Sequence, residues 1–192
     1  WATLSQATFL SLQSLWSGPW LRDVGGLDRG PVATVLFWTA GAMVIGYVFM
    51  GILAERLSRA GIRPMTVAGT GMLLFMVCQA LMILGWRLPP MLLWMVFGFS
   101  GTSGILVYAD LSQRFPADLA GRVNTGLNLL VFVAAFVAQW GVGAVIDLWP
   151  NTLTGYAPEG YRAGFGLLLS LQVIAALWFA GMHWKMKSSG RS

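Results

Sequence analysis

Gly51-Ile-Leu-Ala-Glu-Arg-Leu-Ser-Arg-Ala-Gly-Ile-Arg63 decides how this chain is read. It is a short basic stretch between two long apolar segments, 30–54 and 64–86, neither of which carries a charge. So short a connection joins antiparallel helices at one membrane face. Three arginines in it, Arg56, Arg59 and Arg63, point to the cytoplasmic face, because short loops rich in Lys and Arg stay inside.

Composition agrees with that reading. The chain is 57% hydrophobic and 10% charged, with a mean hydropathy of +0.70. Soluble domains carry about 25% charged residues, so this is the composition of a membrane protein. The net charge of +5 would point to nucleic acid in a soluble chain. Here the charges fall between apolar segments, and no basic patch interleaved with aromatics exists to track phosphates. A nucleic-acid partner is therefore not expected. The single cysteine, Cys78, lies in an apolar run and has no second cysteine to pair with; packing is its expected role. The chain begins at Trp1, already inside an apolar segment and without a preceding basic region. It reads as part of something longer rather than as starting with a signal peptide.

Six segments reach the roughly 20 apolar residues that a bilayer crossing needs. The helices are expected at about 1–21, 31–55, 65–86, 90–113, 123–147 and 162–184, followed by a basic tail, 185–192. In lipid every backbone polar group must pair internally, and no alternating pattern supports a barrel. The expected fold class is thus all-α, a polytopic membrane protein with six transmembrane helices in one bundle. Pro31, Pro64 and Pro89-Pro90 fall at helix starts, where a missing N–H costs least.

Loop charges set the orientation. Arg56, Arg59, Arg63, Arg114, Arg122, Lys185, Lys187 and Arg191 lie on one side, and Arg22, Arg29, Arg87 and Arg162 on the other. The first group is assigned to the cytoplasm, which puts the C-terminus inside. Trp20, Trp38, Trp86, Trp94, Trp149 and Trp184 fall near span ends, where interfacial anchors are expected. A weak internal repeat pairs Gly51-Ile-Leu-Ala-Glu55 with Gly143-Ala-Val-Ile-Asp147, at the ends of the second and fifth helices.

The opening stretch resembles the signature loop of the major facilitator superfamily, roughly G-x-L-a-D-R-x-G-R-[KR]. Glu55 stands where that family usually has Asp, Ser58 where it often has Gly, and the second glycine is displaced to Gly61. Phe115-Pro116, Gly121-Arg122 and Asn124-Thr-Gly126 resemble the loop between the fourth and fifth helices of a facilitator half. Over essentially its whole length the chain resembles the C-terminal six-helix half of a bacterial transporter of that family. The resemblance implies a 3+3 inverted repeat and secondary transport of a small solute by alternating access. It also implies a partner half of six further helices, surrounding membrane lipid and a bacterial inner-membrane location. No enzymatic activity, metal or organic cofactor is expected.

Polar residues inside spans mark candidate contacts, because a glutamine facing lipid is costly. The first helix carries Thr3, Gln6, Gln13, Ser17 and Trp20 at helical spacing, the fourth Ser100, Ser103, Asp110 and Arg114, the fifth Asn124, Asn128 and Gln139. The resemblance implies that the first and fourth helices line a central cavity, with help from the second and fifth. Gln6, Gln13, Ser17, Trp20, Ser100, Ser103, Asn128 and Gln139 are then the cavity candidates. The bland reading is that they hydrogen-bond between helices and hold the bundle together. Gly51, Glu55, Arg56, Arg59, Gly61 and Arg63 are implied to work as a conformational latch, against the alternative that the arginines only fix topology. Gly41, Gly46 and Gly51 of the second helix and Gly98, Gly101 and Gly104 of the fourth read first as sites of close helix packing. No carboxylate lies at the middle of a span, so coupling to an ion such as H+ would rest on Asp110 and Arg114 or on the other half, or be absent. His183, a residue type whose ordinary pKa lies near neutral pH, reads as an interfacial residue.

One rival comes from Gly101-Thr-Ser103-Gly104 in the fourth helix and His183 in the sixth, a pairing that resembles rhomboid intramembrane proteases. Depth opposes it. The two residues sit roughly 10 Å apart along the membrane normal at 1.5 Å per residue, and a nucleophile and base must lie within about 3 Å. A six-helix scaffold or channel is the other rival; it calls for a ring of like charges or a carbonyl filter, and the sequence offers neither.

Overall fold

The computed structural model describes residues 1–85, 88–152 and 155–189, with side chains described as far as 182. Every regular element among the described residues is helical. They form α1 (2–23), α2 (Arg29–Arg59), α3 (Pro64–Leu84), α4 (Pro90–Arg114), α5 (Ala117–Ile146) and α6 (Pro158–Ser189). Helices α2 to α6 are long and apolar enough to cross a membrane. Helix α1 has similar length but is interrupted by a π turn, Leu12–Trp16. Large apolar side chains cover the outside: Phe37, Phe136, Trp140 and Leu177 are each about 70% exposed. Soluble monomers rarely show contiguous apolar patches above a few hundred Å². These helices are consistent with a multi-pass membrane protein.

Local chemistry explains where the helices start and stop. Pro64 opens α3 and Pro90 lies at the start of α4, while Asp118 and Glu159 occupy the first turns of α5 and α6, where negative charge suits the helix dipole. Helix α2 runs four residues past the expected end. Its last turn carries Arg56 and Arg59, cations favoured at a helix C-terminus. It stops at a left-handed glycine. Gly61 has φ +82°, its N–H donates to Ser58 O at 3.0 Å, and Ile62 N–H donates to Leu57 O at 2.9 Å. That is the Schellman arrangement.

Helix α2 packs chiefly against α4, α1 against α5, and α3 against both α4 and α6. The tightest crossings meet at residues 98–104 of α4. Gly98 faces Thr39 and Met43 of α2, Gly101 faces the ring of Phe9, Gly104 faces Gln6, Thr102 sits on Gly46 of α2, and Ser103 on Gly71 of α3. A Cβ on Gly101 would overlap the Phe9 ring, and one on Gly46 would fall 2.9 Å from Phe99 O. The same stretch tightens into a 3-10 turn, Thr102–Gly104, where Thr102 Oγ1 donates to Phe99 O at 2.7 Å. An aromatic core lies toward the α1–α2 loop: Phe75–Phe97 ring centroids are 4.8 Å apart, Trp94–Phe97 4.9 Å and Trp20–Trp94 5.7 Å. Trp20 and Trp94, read from the sequence as interfacial anchors, are buried in that core instead. Trp86 lies outside the described residues, as does the side chain of Trp184.

At the α1–α2 end a buried carboxylate ties three parts of the chain together. Asp23 accepts from Arg22 Nε at 2.6 Å, from Tyr161 Oη at 2.8 Å and from the Tyr156 N–H at 3.1 Å, and its side chain is 1% exposed. Burial pushes its pKa up, but the hydrogen bonds from Arg22, Tyr161 and Tyr156 outweigh that, and the carboxyl is held below its ordinary value.

Two predictions follow from these contacts. Gly101→Ala should lower the melting temperature in detergent, as overpacking costs about 1–3 kcal/mol, whereas Gly41→Ala, which meets open space, should not; equal melting would contradict the packing assignment. Because the Asp23 pKa is depressed in the fold, its contribution is present above the unfolded carboxyl value of about 3.9 and is lost as pH falls through the lower folded value. Melting of the wild type should therefore decline on acidification below about pH 4, with that part of the slope missing in Asp23→Asn.

Candidate functional site

Helices α1, α2, α4 and α5 meet around a groove of about 310 Å³ that opens on one side. Its lining combines Gln6 and Leu10 of α1, Tyr47 of α2, Ile105 and Tyr108 of α4, and Asn128 and Phe132 of α5. The polar tips are few and placed among apolar walls, the usual make-up of a small-molecule site. Tyr108 Oη lies 3.3 Å from Asn128 Oδ1 and donates to it. Gln6 Nε2 donates to Gly101 O at 2.9 Å, which fixes its amide at the crossing of α1 and α4. Below the groove, Asn124 Nδ2 donates to Ser112 Oγ at 2.6 Å, and Ser112 Oγ to Tyr108 O at 2.8 Å. Polar contacts therefore run along the α4–α5 seam toward the α4–α5 loop.

The structure brings two of the sequence candidates, Gln6 and Asn128, into this groove. Others lie elsewhere. Gln139 meets the π turn of α1: its Nε2 donates to Ser14 Oγ at 2.8 Å, and its carbonyl accepts from Trp16 Nε1 at 3.3 Å. Gln13 is half-buried beside that turn and accepts from Ser17 Oγ through its carbonyl at 2.6 Å. Ser17 and Trp20 are buried in the bundle core. The π turn inserts one extra residue, which rotates the face C-terminal to it by about 100°. The single stripe from Thr3 to Trp20 is thereby split, and Ser14 rather than Ser17 becomes exposed. Ser100 donates to Val96 O at 2.7 Å within its own helix. Ser103 is packed on Gly71 with its Oγ buried and without a partner among the described residues. The side chain of His183, the other half of the protease rival, lies outside the described residues.

The basic stretch of α2–α3 and the Asp110–Arg114 pair converge. Arg63 and Arg114 both border a polar crevice of about 470 Å³, together with Ser58, Gly61, Asp110 and Gln113. Arg114 Nε donates to Asp110 Oδ2 at 2.7 Å, and Asp110 is only 16% exposed. Glu55 pairs with Arg59 one turn along in α2, both exposed, so this acid neutralises its own helix end rather than bridging to another helix. Gly51 and Arg56 are exposed on α2, and a Cβ at Gly51 would meet open space.

Sequence reasoning passed over Tyr47, Tyr108 and Ser14. Tyrosine in a span carries a polar tip on an apolar body, which is the signal that would have found the first two. It also passed over a glutamine pair. Gln79 Nε2 donates to Phe165 O at 2.8 Å, and Gln172 Nε2 donates to Gln79 Oε1 at 2.7 Å. Both residues are fully buried between α3 and α6, and the cost of a lone glutamine in lipid applies to them as much as to α1. Among the described residues no group of three His, Cys, Asp or Glu is arranged to hold a metal ion. No family model matches the chain, and neither does any curated protein or solved structure.

Proposed function

We propose that this chain is one six-helix half of a facilitator-type secondary transporter that moves a small solute by alternating access. The observation that carries the reading is the groove shared by α1, α2, α4 and α5, with Gln6, Tyr108 and Asn128 among apolar walls. Helix pairing supports it. Exchanging the first three helices for the last three in order turns the α2–α4 contact into the α5–α1 contact and maps α3–α6 onto itself. A 3+3 repeat requires that pairing.

In this reading the open side of the groove faces the second half, and solute is held between the two near the midplane. Asn128 and the Tyr108 hydroxyl orient it through hydrogen bonds, while Tyr47 and Phe132 supply apolar contact. The crevice holding Arg63, Asp110 and Arg114 lies at the cytoplasmic end and changes shape as the halves rock. A coupling ion such as H+ would act at Asp110 or in the partner half. The setting is the bacterial inner membrane with the C-terminus inside, from the excess of Lys and Arg on that side.

The test needs no knowledge of the solute. In a Cys78→Ala background, cysteines replace Asn128 in the groove and Ile174 on the exposed face of α6, and membranes are treated with a water-soluble thiol reagent. Asn128→Cys should react and Ile174→Cys should not. Equal labelling of both, or protection of Asn128→Cys alone, would remove the water-filled cavity on which the reading stands.

A further inference from the structure

We infer that the furrow between α3 and α6 binds one anionic phospholipid from the leaflet that faces the α2–α3 loop. The furrow encloses about 840 Å³. Its walls are Leu73 and Met76 of α3 with Val173, Ala176 and Leu177 of α6, and small residues such as Gly69 and Ala180 hollow it out. At one end stand Arg63 and Arg114. The same two arginines border the polar crevice at the α2–α3 loop. An apolar trough and a polar crevice thus share a cationic junction, which is the chemistry of an acyl chain joined to a negatively charged headgroup.

Length and charge fit that occupant. From Arg63 to Met76 the lining runs about 20 Å along α3 at about 1.5 Å per residue. One leaflet contributes about 15 Å of a hydrocarbon core about 30 Å thick, so the furrow carries a chain from headgroup depth to the midplane. Asp110 holds the Arg114 Nε at 2.7 Å and orients its guanidinium. Arg63 makes no ion pair among the described residues. The junction therefore keeps net positive charge, with Arg63 unneutralised at the depth where lipid phosphates lie. Trp1 closes one wall at the same end, its ring 5.7 Å from that of Phe179, and aromatic rings favour headgroup level. Basic pockets between helices on this side of a membrane select anionic headgroups. The inference rests on the membrane setting and not on transport.

The test is native mass spectrometry of the full-length protein that contains this chain, purified in detergent and titrated with dioleoyl phosphatidylglycerol or dioleoyl phosphatidylcholine. Retention of a single phosphatidylglycerol is expected, with a preference over phosphatidylcholine of roughly tenfold. The Arg63→Gln, Arg114→Gln double variant should bring that preference near unity, and the corresponding double Lys variant should keep most of it. Ala176→Trp, which fills the trough, should remove the bound lipid while the melting temperature without lipid stays unchanged. Equal retention of the two lipids by the wild type would overturn the inference. So would undiminished phosphatidylglycerol binding in the double Gln variant or in Ala176→Trp. Complete displacement of the lipid by inorganic phosphate would overturn it as well, since the site would then read the anion alone.

Discussion

Close approach at residues 98–104 of α4 is the constraint on which this bundle depends. Within seven residues α4 touches α1 through Gly101 and Gly104, α2 through Gly98 and Thr102, and α3 through Ser103. Lipid tails are as apolar as leucine, so no hydrophobic force drives these helices together; dispersion and interhelical hydrogen bonds must do so. Dispersion falls off steeply with a gap of even 0.5–1 Å. Small residues allow the backbones to close that gap. Phe9, seated on Gly101, then meets Phe75 and Phe97, so the aromatic core inherits its position from the glycine stretch. The same crossing holds the Gln6 amide against Gly101 O and thereby sets one edge of the groove.

The polar residues within the spans divide into two kinds by what they meet. Gln79, Gln172 and Gln139 donate to neighbouring helices, and Trp16 donates to the Gln139 carbonyl. They hold α3 to α6 and α5 to α1. Gln6, Tyr108 and Asn128 reach the groove, where Asn128 is exposed. Interhelical bonding, one of the two alternatives weighed from the sequence, is thus present on Gln79, Gln172 and Gln139, while the groove-lining side chains are the ones for which substrate contact is proposed. The charged residues gather at the ends. Asp23 closes one end against Tyr156 and Tyr161, and Asp110 with Arg63 and Arg114 marks the other.

Much of the fold was legible because a span must be apolar, and a charge or proline ends it. The helix count and most boundaries follow from that alone. The end of α2 was misplaced by four residues because Glu55, Arg56 and Arg59 were taken as loop charges. They are good helix formers, the Glu55–Arg59 pair lies at the favourable one-turn spacing, and only Gly61 stops the helix. The site was legible in part. Gln6 and Asn128 were found as costly polar groups in apolar spans, and Arg63 and Arg114 as loop charges. Ser17 and Trp20, read from the sequence as cavity candidates, are buried in the core beyond a π turn, which leaves no mark in composition or periodicity yet rotates everything beyond it. That Arg63 and Arg114 converge could not be read at all, since fifty residues separate them and only the packing of α3 on α4 brings them together.

In the proposed reading these six helices are half of a two-bundle protein whose groove is completed by the other half. The most direct measurement is the mass of the native protein in its own membrane, by blotting with an antibody raised against the tail 185–192. The chain described here is 20.8 kDa. A band at about twice that mass is the predicted result, with six further helices joined to this chain. A band near 20.8 kDa that cross-links to no second copy would contradict the account, because the groove would then have nothing to close it.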